Sequence, residues 1–160
     1  MPLLETIKKV LSEQVQGWRL LSELLQREKV CLVNLQMEGI EALTKEKDIL
    51  VLKLRLLEEE RKRIIDIFIL ENFPDISTEG IAPQKISLLK LAELTGETIF
   101  LEMRSKLISL SQGIKELNDL NKIMIDRTLG FLKQNNTFLG MYFPGAAPLG
   151  EKGRLLSREI

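Results

Sequence analysis

Residues 32–43, Leu32-Val33-Asn34-Leu35-Gln36-Met37-Glu38-Gly39-Ile40-Glu41-Ala42-Leu43, hold the join between two helical registers, and the reading of that join decides the fold. Upstream, Leu4, Ile7, Leu11, Trp18, Leu21, Leu25, Leu32 and Leu35 recur at steps of three and four that sum to seven, the pattern of a helix with one buried seam. Downstream the seam resumes one position on, at Leu43, Leu50, Leu57 and Ile64, so that Leu32 and Leu43 are eleven residues apart. An eleven-residue step corrects the drift of a straight helix against a strict heptad. The pattern therefore predicts one helix over about 3–72, roughly 100 Å long at about 1.5 Å per residue. Gly39 is its soft point, at a cost of only about 1 kcal/mol relative to alanine.

The stop falls at Asn72-Phe73-Pro74, because proline lacks the amide donor and drives its predecessor out of the α region. A loop is expected from Asp75 to Pro83. Ile86, Leu88, Leu89, Leu91 and Leu94 then predict a short helix over about 84–95, with Thr95-Gly96 as its C-terminal stop. A second long periodicity, Phe100, Met103, Leu107, Leu110, Ile114, Leu117, Met124, Phe131 and Phe138, predicts a helix over about 97–142. Neither long helix hides its seam alone, so the expected fold class is all-α. It is an elongated antiparallel helical hairpin or bundle of two long helices plus a short third helix, spanning 1–142. The second helix is shorter by roughly 20 residues, or about 30 Å. The short helix is expected to cover part of the seam left over, giving three helices at one end and two at the other. Residues 143–160, rich in proline and glycine up to Gly153, are expected to form a flexible tail with a short terminal helix at Arg154–Ile160.

At 160 residues and 18.3 kDa the chain has room for one such unit. Lys+Arg 23 balance Asp+Glu 23, so no net field draws in nucleic acid or an anionic membrane. The apolar runs are too short for a spanning helix of about 20 residues, and the N-terminus lacks a secretory apolar core. A soluble cytoplasmic protein is expected. The single cysteine, Cys31, excludes an internal disulfide and reads as a small core residue.

Histidine is absent, which removes the commonest metal ligand and near-neutral acid or base. There is no paired-cysteine metal site, glycine-rich phosphate loop or Ser/His/Asp set. The sequence thus points away from an enzyme, a cofactor and a metal. The nearest enzyme type is the all-helical chorismate mutase, whose internal cations hold a dicarboxylate. Here Lys47, Arg55 and Lys62 fall off the seam, and only Lys53 lies at its crossover. Glu58 with Lys62 and Glu59 with Arg63 are spaced as ordinary solvated i,i+4 pairs.

Two features point to a partner. Asn121, Thr128 and Asn135 take over the heptad position filled earlier by Phe100, Leu107 and Ile114. Either they set the register as buried amides at a wet end of the bundle, or they keep a groove loosely packed for an incoming helix. Phe131, Phe138, Tyr142 and Phe143 gather half of the eight aromatic residues at the end of the second long helix, beside the tail. Such a helix end is either capped by its own tail or offered to a partner.

Several stretches together resemble the FlgN family of flagellar type III export chaperones. They are Leu24-Leu25, Glu28 and Leu32; Lys47 with Ile49-Leu50; Leu57 and Arg61; then Leu117-Asn118, Asn121, Met124-Ile125 and Leu129-Gly130-Phe131-Leu132; and last Tyr142 with the tail from Phe143 to Gly153. The resemblance implies a non-enzymatic cytoplasmic chaperone that binds hook-filament junction proteins, prevents their premature assembly and delivers them to the export apparatus and its ATPase. It places client binding in the C-terminal part, from Phe138 through Leu156, and carries over the paired asparagines as Asn118 and Asn121.

On that reading Phe138, Tyr142, Leu149, Leu155 and Leu156 supply apolar contacts to a client helix, with Phe131 and Phe143 beside them, while Asn121 and Asn135 set register. The alternatives are a coiled-coil adaptor that dimerises through its leftover seam and, more remotely, the helical enzyme. Asn72 to Pro83 serves as a turn in a monomer or as a hinge in a helix-swapped dimer.

Overall fold

A computed structural model describes residues 1–78 and 86–142, with side chains described except at 77–78, 137–139 and 141–142. These residues form five helices and no strand: α1 (Pro2–Val33), α2 (Met37–Asn72), α3 (Pro74–Thr78), α4 (Leu88–Thr95) and α5 (Ile99–Tyr142). The all-α class expected from the periodicity is what the chain adopts.

The single helix expected over 3–72 is, however, two. Residues 34–36 turn the chain back on itself, so α1 and α2 form an antiparallel hairpin in which Gln14 meets Glu58 and Glu28 meets Lys47. The turn uses neither glycine nor proline. Asn34 caps α1, Leu35 adopts a left-handed φ of 55°, the Gln36 amide donates to the Cys31 carbonyl at 2.9 Å, and the Leu35 amide donates to the Leu32 carbonyl at 3.3 Å. That pair of reversed bonds is a Schellman stop with leucine where glycine is usual. The eleven-residue step is thus a reversal between two helices. Leu35 lies exposed at the tip instead of in the seam. Gly39 is no soft point either: a Cβ there would sit 2.9 Å from Cys31 Sγ, so it marks a close approach of α2 to α1.

α2 ends where the sequence stops it, the Phe73 amide donating to the Ile69 carbonyl at 2.8 Å. Pro74 then opens the five-residue α3 inside the stretch expected to be loop, since its fixed φ suits a first helical turn. α4 begins at Ser87, whose Oγ accepts from the Lys90 amide at 3.2 Å, and ends at Gly96 with φ 71°, as Thr95-Gly96 foretold. From there α5 runs back parallel to α1. Lys8 pairs with Glu97 at its start, Asn121 bonds Leu25 further up, and Ile125 packs with Leu32 near the tip. α1 is therefore central, with α2 antiparallel and α5 parallel to it, and three long helices replace the expected two.

Three apolar clusters succeed one another along the bundle. The base joins Leu4, Ile7 and Leu11 to Leu57, Ile64 and Phe68, and α4 and the start of α5 close it with Leu91 and Phe100. The middle is Leu21, Leu25, Leu54 and Ile114, and the tip is Leu32, Ile40 and Ile125. Each fully buried aliphatic side chain contributes about 1.5–3 kcal/mol, which fixes the base as the most stable part. Polar layers separate the clusters: Gln14 with Glu58 below the middle, and Glu28 with Lys47, beside Asn121, above it.

Candidate functional site

The three-and-four spacing that builds α5 carries it further than its support. Leu129 packs against the tip cluster, and α5 continues thirteen residues to Tyr142, about 20 Å past that contact. Phe131, two residues beyond Leu129, is 55% exposed, a large apolar ring near the helix end. Asn135 is half-buried. Phe138 and Tyr142 lie on this same overhang of α5, with side chains outside the described set, and Phe143, Leu149, Leu155 and Leu156 lie outside the described residues. The overhang thus gathers Phe131, Asn135, Phe138 and Tyr142 on one helical segment.

Asn121 and Asn118 are placed differently. Asn121 is fully buried, and its Nδ2 donates to the Leu25 carbonyl at 2.9 Å, locking α5 to α1 at one register. Its Oδ1 is buried without a protein partner, a cost of about 1–3 kcal/mol that only a specific fit sustains. Asn121, expected among the client-contacting residues, is sealed inside the α1–α5 contact, and the partner its amide engages is the chain's own Leu25 carbonyl. Thr128 returns its hydroxyl to the Met124 carbonyl at 2.9 Å. Asn118 is half-buried and lines a shallow depression of about 400 Å³ beside Trp18, Ser111, Ile114 and Lys115. The two paired asparagines therefore face different surroundings, one inside the α1–α5 contact and one at its rim.

The hairpin creates features that a single long helix lacks. Between α1 and α2, on open surface, runs a groove of about 630 Å³ lined by Val30, Cys31, Gly39, Ala42 and Glu46, with Leu20 and Ile49 further along. Lys47, expected on the outer face, is buried with its ammonium 2.9 Å from the Glu28 carboxylate, and Lys53, expected at the crossover, is exposed. A signal for this pair was present: Glu28 sits between Leu25 and Leu32, and Lys47 between Leu43 and Leu50, so each seam carries one charge and the charges are opposite.

Glu58 forms the expected pair with Lys62 at 3.5 Å, but it also takes both oxygens to Arg61 and accepts from Gln14 across the hairpin at 2.8 Å. Burial pushes its carboxyl up, and the hydrogen bonds from Arg61 and Gln14, with the charges of Arg61 and Lys62, outweigh that and hold it at about 2. This network braces α1 against α2. Among the described residues there is no cluster of three metal-ligating side chains, and no helix is long and apolar enough to cross a membrane.

The described residues form an all-α bundle of three long helices, with Phe131 exposed near the end of α5. The family model for FlgN protein matches residues 1–143, and the chain belongs to the FlgN family. It is a flagellar export chaperone, of a family without enzymatic activity. Comparison with curated proteins and with solved structures finds no match.

Proposed function

We propose that this chaperone binds hook-filament junction proteins in the cytoplasm, covers their terminal helices until export, and hands them to the export apparatus and its ATPase. The supporting observation is the end of α5, which runs about 20 Å beyond its last apolar cluster among the described residues and exposes Phe131. Proteins that polymerise through terminal helices carry apolar stripes that must be covered before assembly. A projecting helix offers such a stripe a surface of matching period, the helix-in-groove mode of recognition. Phe131, Phe138 and Tyr142 supply the apolar contacts, Asn135 a polar one, and Phe143, Leu149, Leu155 and Leu156 extend the surface along the following segment.

Calorimetric titration with the C-terminal helical segment of a hook-filament junction protein tests this reading. Intact protein is expected to bind stoichiometrically, and protein truncated after Gly140 to lose that binding. Undiminished binding by the truncated chain sinks the placement of the site.

A further inference from the structure

α2 carries a second, exposed seam on the side away from its buried residues, with Ile49 at the edge it shares with the α1–α2 groove. Ile49, Leu52 and Leu56 step by three and four along it and are 72%, 58% and 56% exposed, which sets them apart from the buried seam of Leu43, Leu54 and Leu57. The same exposed line continues outward in both directions with charges: Lys45 and then Glu41 before the apolar centre, Glu59 and then Arg63 after it. In chain order the line reads acid, base, three aliphatics, acid, base.

We infer that this outer seam of α2 is a homodimer interface, in which two copies of the chain pair their α2 helices antiparallel about an axis at Leu52. Position decides the direction. Lys45 and Glu59 each lie seven residues from Leu52, and Glu41 and Arg63 each lie eleven. An antiparallel copy therefore sets Lys45 against the second copy's Glu59 and Glu41 against the second copy's Arg63, with Ile49 beside the second copy's Leu56. A parallel copy sets Lys45 on Lys45 and Glu59 on Glu59, repulsions that specify against it.

Within the single chain these charges are poorly used. Lys45 reaches Glu41 only at 3.9 Å, and Glu59 and Arg63, although spaced as an i,i+4 pair, have no ion-pair partner among the described residues. The contact is about three heptads long with three aliphatic side chains per copy, less than the roughly 800 Å² per partner of a standard stable interface. The dimer is accordingly reversible and concentration-dependent. It uses neither the α5 overhang nor a swapped helix, so a client and a second copy occupy separate surfaces.

Sedimentation velocity on the full chain from ~1 to ~200 μM tests the inference. The mass is expected to rise from 18.3 kDa toward twice that value. Leu52→Glu, at an exposed site where folding is unaffected, should leave a monomer throughout. Lys45→Glu should weaken association about tenfold, because the two-fold repeats each new repulsion, and Lys45→Glu combined with Glu59→Lys should restore it. A wild-type chain that stays monomeric, a dimer indifferent to Leu52→Glu, or a face that binds only a client would each overturn the proposal. A dimer that Lys45→Glu leaves intact would overturn its antiparallel sense.

Discussion

The Lys47 ammonium lies 2.9 Å from the Glu28 carboxylate, with both side chains sealed between α1 and α2 at 7% and 3% exposure. A buried pair of this kind gives modest net stability but is costly to break, since either charge alone is left stranded. Lys47→Met should destabilise the fold by about 3–5 kcal/mol in urea unfolding, whereas Glu28→Leu with Lys47→Met should return it to the wild-type midpoint or above. The double variant keeps apolar contact between the helices but loses the buried charge match between them, leaving the exposed Arg27–Glu46 pair. A single variant as stable as wild type would show that the pair is not shielded from water.

Leu35 offers the opposite kind of substitution. Its φ of 55° is a left-handed conformation that a branched side chain adopts at a cost, and its side chain is exposed at the tip. Leu35→Gly should raise stability by about 1 kcal/mol, read as a shift in denaturation midpoint at constant slope. A loss of stability would mean that the Leu35 side chain does more at the tip than its exposure suggests.

Glu58 makes folding sensitive to acid. Its carboxyl falls from an ordinary 4.5 to about 2 in the folded chain, so its contribution is fully present above pH 4.5 and is lost as pH falls toward 2. With 38% of the side chain exposed, solvent screening reduces that contribution to about 1 kcal/mol. Glu58→Gln should lower stability by about that amount at pH 7 and flatten the pH dependence between 4.5 and 2. An unchanged acid slope in the variant would assign the dependence to other carboxylates.

The bond from Asn121 to the Leu25 carbonyl ties α5 to the hairpin from inside. Asn121→Ala should cost about 1–2 kcal/mol and loosen α5 near the tip, seen as faster amide exchange in residues 117–129 than in the base cluster. Equal exchange in variant and wild type would remove its role in register.

Much of this was legible from residue spacing, and what was not has physical reasons. Gly96 and Pro74 mark their helix ends because backbone constraint is local to the residue. The reversal at Asn34–Gln36 was hidden, because a left-handed leucine carries no compositional mark and its eleven-residue step matches the phase correction of a continuous helix. With no mark for that turn, Lys47 has no visible partner in the sequence, since Glu28 lies nineteen residues away and meets it only in a hairpin. The groove along Val30, Gly39 and Ala42 exists only in the hairpin and is hidden for the same reason. Asn121 stood out as a polar residue on an apolar seam, but the period alone did not separate an internal lock from a contact for a client.

The central claim is that the client lies on the far end of α5. Hydrogen exchange of the full chain, with and without the terminal helical segment of a hook-filament junction protein, locates the contact directly. The account predicts protection concentrated in residues 129–142 and in the segment after them, with the α1–α2 groove unchanged. Protection confined to the groove near Val30 and Gly39, with the end of α5 exchanging as before, would contradict it.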